Sequence, residues 1–272
     1  MTELAVDFRP QVTHSHNFSL LADCHVEAGL GPLIVSAFGS LNPLIGSKRP
    51  LNPRIDSLMA KGPTIVVENP LLFNAVAKRH GGVDCEHICL GVNAAHFKPG
   101  KAAQRAAWRQ ALQIPDDTVL FFSARGIADS YRQDDILKAF AMALPDLPQT
   151  AGLAMIRLTR SLERSDMIES LQRQADELGV SDRLFWIPEV RYEMMPGMYA
   201  MVDHVVSYPS EDAFPSTLLE AAACGVPIVT ANLPAYAGSY IEQFCMLVDP
   251  DDRQALARAL VRAVLEPEEF RT

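Results

Sequence analysis

The sequence has 272 residues, of which 49% are hydrophobic, and a net charge of −9. That length suits one large domain or two small ones, and no apolar run is long enough to cross a membrane as a helix. Without a basic face the chain is not expected to bind nucleic acid.

The N-terminus "MTELAVDFRPQ" has no basic stretch followed by an apolar core, so no signal peptide is expected. "QVTHSH" (11–16), "PLIVSAF" (32–38) and "TIVVEN" (64–69) read as strands, and "HICLGV" (87–92) as a fourth. "SLLADCHVEAG" (19–29) and "PLLFNAVAKRHG" (70–81) read as helices between them. His14 and His16, two apart on a strand, share a face. They suggest a metal pair, but no third ligand is evident. Gly39 in "AFGS" reads either as a site of close backbone approach or as a simple turn.

"HFKPGKAAQ" (96–104) is the best boundary, giving units of 1–100 and 101–272. The first is charge-balanced and the second carries the whole −9. Beyond the boundary, strands are expected at 118–124, 152–158, 182–188, 203–209, 226–231 and 245–249. Helices are expected at 134–144, 163–179, 193–202, 216–224 and 252–266. The strands are continuous apolar runs, as in a parallel sheet covered on both faces. The alternation predicts a doubly wound α/β domain with its ligand crevice at the carboxyl ends of the strands. Cys24, Cys85, Cys89, Cys224 and Cys245 form no CxxC pair. That predicts a reducing, cytoplasmic setting and no zinc site.

One stretch concentrates chemistry: "SEDAFPSTLLEAAACGVPIV" (210–229). Ser216 is an N-cap candidate, with Thr217 and Leu218 in the first helical turn. The unpaired amides there form a phosphate site. Asp212 lies in the preceding loop and Glu220 one turn into the helix. Each can accept two sugar hydroxyls, and carboxylates flanking a phosphate site describe a nucleotide sugar. From spacing alone, a loop cap at Asp212 and a solvated Glu220 are the favoured reading.

"PSEDAFPSTLLEAAACGVPIVTA" (209–231) resembles the signature of retaining, nucleotide-sugar-dependent glycosyltransferases of the GT-B fold, the large family numbered four. That pattern has two acidic residues eight apart, an Ala-rich helix and Gly-x-Pro. "RPQVTHSH", "PLIVSAFGS", "LGVNAAHFKPG", "DRLFWIPEV" and "LVDPDDRQALARAL" fall in family order along nearly the whole chain. The resemblance implies two Rossmann-like domains, the first incomplete. It implies transfer of a hexose from a nucleoside diphosphate sugar to an acceptor hydroxyl, with retention and without a metal. The donor base and sugar and the acceptor stay open.

Residue by residue, the resemblance implies ribose binding by Glu220 and binding of the transferred sugar by Asp212. It implies sugar and phosphate contacts from the Phe214, Pro215, Ser216, Thr217 and Leu218 backbone. Arg125 matches the pyrophosphate-binding Arg, Val190 lies against the base, and His16 stands at a strand end beside the crevice. Some features depart from the family. Asp212 stands where Glu is usual, and Arg132 is the nearest cation to the position of a family Lys. "TRSLERS" replaces a Gly-x-Gly loop, and the family's first strands precede the point where this chain starts. These departures leave room for a degenerate nucleotide-sugar-binding subunit or a GT-B nucleotide-sugar epimerase. They also predict self-association, or a partner supplying the absent strands.

Overall fold

The computed structural model describes residues 10–46, 50–157 and 162–267. Of "TRSLERS", residues 159–161 lie outside the described residues and the rest opens a helix at Leu162. The chain forms two compact units. One runs to Leu90 and takes in the later segments Asp212–Phe214 and Leu233–Ser239. The other holds Gly91–Glu211, Pro215–Asn232 and the chain from Tyr240 onward. The division falls after Leu90, upstream of the Pro- and Gly-containing stretch that marks the boundary in the sequence.

In the first unit the order is β1 (Thr13–His16), α1 (Leu20–Glu27), β2 (Leu33–Ser36), α2 (Pro53–Met59), β3 (Thr64–Val67), α3 (Pro70–Arg79) and β4 (Cys85–His87). The strands are parallel and pair in sequence order. Residues in register share a face. Leu33, Val35, Ile65 and Val67 therefore point together into a core completed by Ala22, Ile55, Met59, Leu72 and Val76. The opposite face carries His14 and Ser36, bonded Nε2 to Oγ at 2.9 Å.

Two expectations here need correcting. Strand β4 lies at 85–87, earlier than 87–92. The ladder ends where the Ile88 amide bonds to the Val67 carbonyl, and the apolar Ile88 is left exposed. Helix α2 was not expected at all. Asn52 caps it by accepting from the Arg54 amide at 3.1 Å, Pro53 opens it, and Ile55, Leu58 and Met59 form its buried stripe.

The second unit runs α4 (Ala102–Ala111), β5 (Leu120–Ser123), α5 (Gln133–Ala143), β6 (Gly152–Arg157), α6 (Leu162–Glu177), β7 (Leu184–Pro188), α7 (Met195–Met201), β8 (His204–Ser207), α8 (Ser216–Ala223), β9 (Ile228–Ala231), α9 (Ile241–Phe244), β10 (Cys245–Val248) and α10 (Arg253–Leu265). Its sheet is parallel in the order β10-β9-β8-β5-β6-β7. Strands β5, β8 and β9 are buried at every position, as their continuous apolar runs require. From β5 the chain winds one way through β6 and β7, then returns to place β8 on the other side of β5. That reversal is a topological switch point, the place where open α/β sheets leave a crevice at the strands' carboxyl ends.

Two helices of this unit were not expected, the single turn α9 and the longer α4. The buried face of α4 is cationic instead of apolar, so hydrophobic periodicity does not reveal it. Arg109, 1% exposed, donates to the Met201 carbonyl at 2.8 Å and pairs with Asp203 at 3.0 Å. Arg105 holds the other Asp203 oxygen at 2.7 Å, and Asp203 also accepts from the Leu120 amide. No helix among the described residues is long and apolar enough to cross a membrane.

Candidate active site

The carboxyl ends of β5 and β8 are neighbours, and each launches a chemical group. Arg125 lies two residues beyond β5. The segment after β8 leads through Pro215 into α8. Pro215 occupies the N-cap position and Ser216 is the first helical residue, so Ser216 does not cap the helix as its sequence position suggests. A proline at the cap contributes a carbonyl only, and the Leu218 amide bonds back to it at 3.2 Å. The amides of Ser216 and Thr217 have no acceptor within the helix. The Thr217 hydroxyl is buried and makes no hydrogen bond among the described residues.

Glu220 is one turn into α8, on the same face as Ser216. It is 6% exposed, so it is not the solvated helix residue that spacing also allowed. Burial pushes its carboxyl above the usual range. Hydrogen bonds from Tyr199 and Ser216, and the nearby charges of Arg125 and His96, pull it back. The Tyr199 hydroxyl donates to Glu220 Oε2 at 2.9 Å and also lies 3.2 Å from the Thr217 carbonyl. Tyr199 comes from α7 and is fully buried, its ring edge-on to Phe97 and Phe122. Burial, then the adjacent Glu220, raise its phenol well above the ordinary value. With Tyr199 and Ser216 each using one of its roughly four lone-pair sites, the carboxylate keeps acceptor capacity.

Arg125 donates to the Tyr131 hydroxyl, and its guanidinium carbon lies 4.1 Å from that ring's centroid. Its charge reaches both Glu220 and Tyr199. Arg132 is held differently. It adopts a left-handed backbone (φ 52°), pairs with Asp135 at 2.7 Å and donates to the Pro250 carbonyl. Arg253 of α10 grips the same Asp135 at 2.9 Å. Val190 is half-buried in the loop after β7. Beyond it, Tyr192 stacks on His96 with centroids 5.6 Å apart.

Arg125, Glu220 and the start of α8 therefore come together, and Tyr199 and His96 join them. Sequence reading missed these last two. Tyr199 lies in an apolar helical run and His96 in a linker-like stretch, so only the packing reveals them. Asp212, Phe214 and His16 belong to the first compact unit. Asp212 Oδ1 accepts from the Ala213 amide at 2.9 Å, and its carbonyl accepts from the Asn42 side chain at 2.8 Å. Phe214 is buried. His16 is exposed, stacks on Phe38 at 5.6 Å and leans on His14 at 4.5 Å. Among the described residues no cluster of three or more His, Cys, Asp or Glu side chains is arranged to hold a metal ion.

Residues 104–272 match the family model of glycosyl transferases group 1. The D-inositol 3-phosphate glycosyltransferase of Saccharomonospora viridis is 31% identical over 185 residues, covering 66% of this chain and 42% of that protein. The enzyme of the same name from Mycobacterium sp. (strain KMS) is 33% identical over 149 residues, covering 52% of this chain and 30% of its own. The chain thus spans less than half the length of these relatives. In three dimensions it resembles HepE from Anabaena, solved in complex with UDP and glucose. The TM-score is 0.79 at 18% identity, over 100% of this chain and 73% of HepE. Sucrose-phosphate synthase from Thermosynechococcus elongatus gives a TM-score of 0.80 at 18% identity, over 99% and 68% of the two chains. These likenesses show the fold: two Rossmann-like α/β units of the GT-B type.

Proposed function

The chain belongs to the glycosyl transferases group 1 family, and from that premise we propose that it transfers a hexose from a nucleoside diphosphate sugar to an acceptor hydroxyl with retention of configuration. One observation carries the reading. A guanidinium, a buried carboxylate and unpaired helix amides converge at the switch point of the second unit's sheet. Few ligands need all three, and a nucleoside diphosphate does.

In this reading Glu220 accepts the ribose hydroxyls through the capacity left by Tyr199. Arg125 and the Ser216 and Thr217 amides receive the diphosphate, and the loop at Val190 faces the base. Carried over from the family signature, Asp212 holds hydroxyls of the transferred sugar, the Phe214, Pro215 and Leu218 backbone contacts sugar and phosphate, and His16 is the candidate histidine. As the bond from the anomeric carbon to the diphosphate oxygen breaks, charge builds on the leaving group. Arg125 and the helix dipole are already oriented to stabilise it. The acceptor oxygen bonds to the anomeric carbon on the face the diphosphate leaves, and the acceptor's proton departs with the diphosphate. Arg132 could join Arg125 only by leaving Asp135 and Pro250. That commitment favours a second reading, a subunit that binds a nucleotide sugar without turning it over.

Because the HepE structures contain UDP and UDP-glucose, UDP-glucose is the first donor to test, beside GDP-glucose and ADP-glucose. Hydrolysis of each is followed with thermal shift in parallel. The first reading predicts one donor that both stabilises the chain and is slowly hydrolysed. Stabilisation without hydrolysis supports the subunit, and neither effect contradicts both readings.

A further inference from the structure

We propose that Tyr199 is a positioning residue for nucleotide-sugar binding, its buried hydroxyl fixing the Glu220 carboxylate in the orientation that leaves acceptor capacity for the ribose. The inference rests on the functional reading above. Tyr199 approaches from α7 and reaches the first turn of α8 through its hydroxyl. Its ring is wedged between Phe97 and Phe122, so its hydroxyl has little freedom to turn elsewhere. That hydroxyl donates to Glu220 Oε2 at 2.9 Å, the shorter of its two contacts, with the Thr217 carbonyl of the first turn at 3.2 Å as the competing acceptor. A carboxylate one turn into a helix otherwise has several rotamers. Ribose recognition requires one of them, and the phenol, the larger of the two hydrogen-bond influences beside Ser216, selects it. Holding the rotamer before the ligand arrives removes an ordering cost from binding.

The same bond favours the ionised form of Glu220 against the burial that opposes it. The other groups facing this carboxylate are Ser216 on α8, Cys224 just past its end, Arg125 beyond β5 and His96 ahead of α4. Burial holds the Cys224 thiol up at about 11, so it stays neutral across the range that matters. A protonated Glu220 has lost acceptor capacity for two ribose hydroxyls. Tyr199 should therefore set how far into acid the protein still binds its donor.

The test is calorimetric titration of the full chain, from pH 4.5 to 8.5, with whichever of UDP-, GDP- or ADP-glucose binds best. Wild type, Y199F, E220Q and H96Q are compared. Because one ligand is used throughout, its own titration cancels. The proposal predicts that Y199F moves the acid limb of affinity up by about one pH unit, with a roughly tenfold loss at the acid end. It predicts no acid limb in E220Q and no further pH effect of Y199F in the E220Q background. H96Q separates the imidazole's contribution. A purely structural tyrosine would lower affinity equally at every pH, and that result overturns the proposal. If Y199F fails to fold, 3-fluorotyrosine at position 199 keeps the ring and strengthens the donor. The limb must then move to lower pH, and an unmoved limb overturns the proposal. A wild type that binds none of the three donors removes the functional reading and this inference together. A wild type that binds, with a Y199F profile unchanged, removes this inference alone.

Discussion

Arg132 closes on Asp135 at 2.7 Å, three residues along and across the start of α5, while Arg253 reaches the same carboxylate from α10. Burial pushes the Asp135 carboxyl up, but Arg253 and Arg132 together hold it below the ordinary value. A carboxyl lowered in the folded state adds stability above its unfolded pKa and loses it as pH falls through the folded one. D135N should cost about 1–3 kcal/mol at neutral pH, because it strands two cations. The penalty should shrink toward strong acid. Urea unfolding at several pH values measures both, and a penalty that does not change with pH contradicts the pairing.

Glu220→Ala should weaken nucleotide-sugar binding by about 1–3 kcal/mol, the worth of hydrogen bonds to a charged group. The fold should not suffer, since the substitution removes a buried carboxylate that burial already disfavours. Calorimetry and a melting curve check this together. Unchanged affinity for the nucleotide would rule out ribose binding.

Arg125 should serve the diphosphate and not the base. Arg125→Ala is expected to reduce affinity for the nucleoside diphosphate at least tenfold more than affinity for the free nucleoside. Equal losses on the two ligands would place the guanidinium outside the phosphate site.

His204 opens β8, stacked on Phe121 at 5.0 Å, and burial lowers its imidazole from 6.5 to about 4. The unfolded chain therefore takes up this proton before the folded one. Stability from the neutral ring is complete above pH 6.5 and is lost progressively down to about pH 4, by up to about 3 kcal/mol. H204F keeps the stack and should flatten that slope. A variant as acid-sensitive as wild type contradicts the assignment.

Gly197 lies where α7 meets α4. A side-chain carbon there would fall 2.0 Å from Nε1 of Trp108. Alanine normally favours a helix over glycine by about 1 kcal/mol. Here G197A should destabilise by about 1–3 kcal/mol, because the indole must move out of a packed site. The urea midpoint gives the sign.

The parts of this fold that obey simple periodicity were legible in the sequence. The six strands of the second unit and its doubly wound order follow from continuous apolar runs, and the opening of α8 from its phosphate-site grammar. What escaped did so for identifiable reasons. Helix α4 buries Arg109 on Asp203 with the half-buried Arg105 beside it, so it carries charge where periodicity looks for carbon. Helix α2 hides behind two prolines. Strand β4 was set too late because "HICLGV" is apolar, although Ile88 lies in solvent. At the candidate site, Glu220 and Arg125 were singled out by the resemblance to the glycosyltransferase signature, not by spacing alone. Tyr199 was not, because only its packing aims a phenol at a carboxylate twenty-one residues away.

The central claim is that the carboxyl ends of β5 and β8 bind a nucleotide sugar through Glu220, Arg125 and the start of α8. The most direct measurement is a crystal structure of the chain with the donor that stabilises it most. The account predicts ribose hydroxyls within about 3 Å of the Glu220 carboxylate, with the diphosphate against Arg125 and the Ser216 and Thr217 amides. A nucleotide bound elsewhere on the chain, with Glu220 still engaged only by Tyr199 and Ser216, would contradict it.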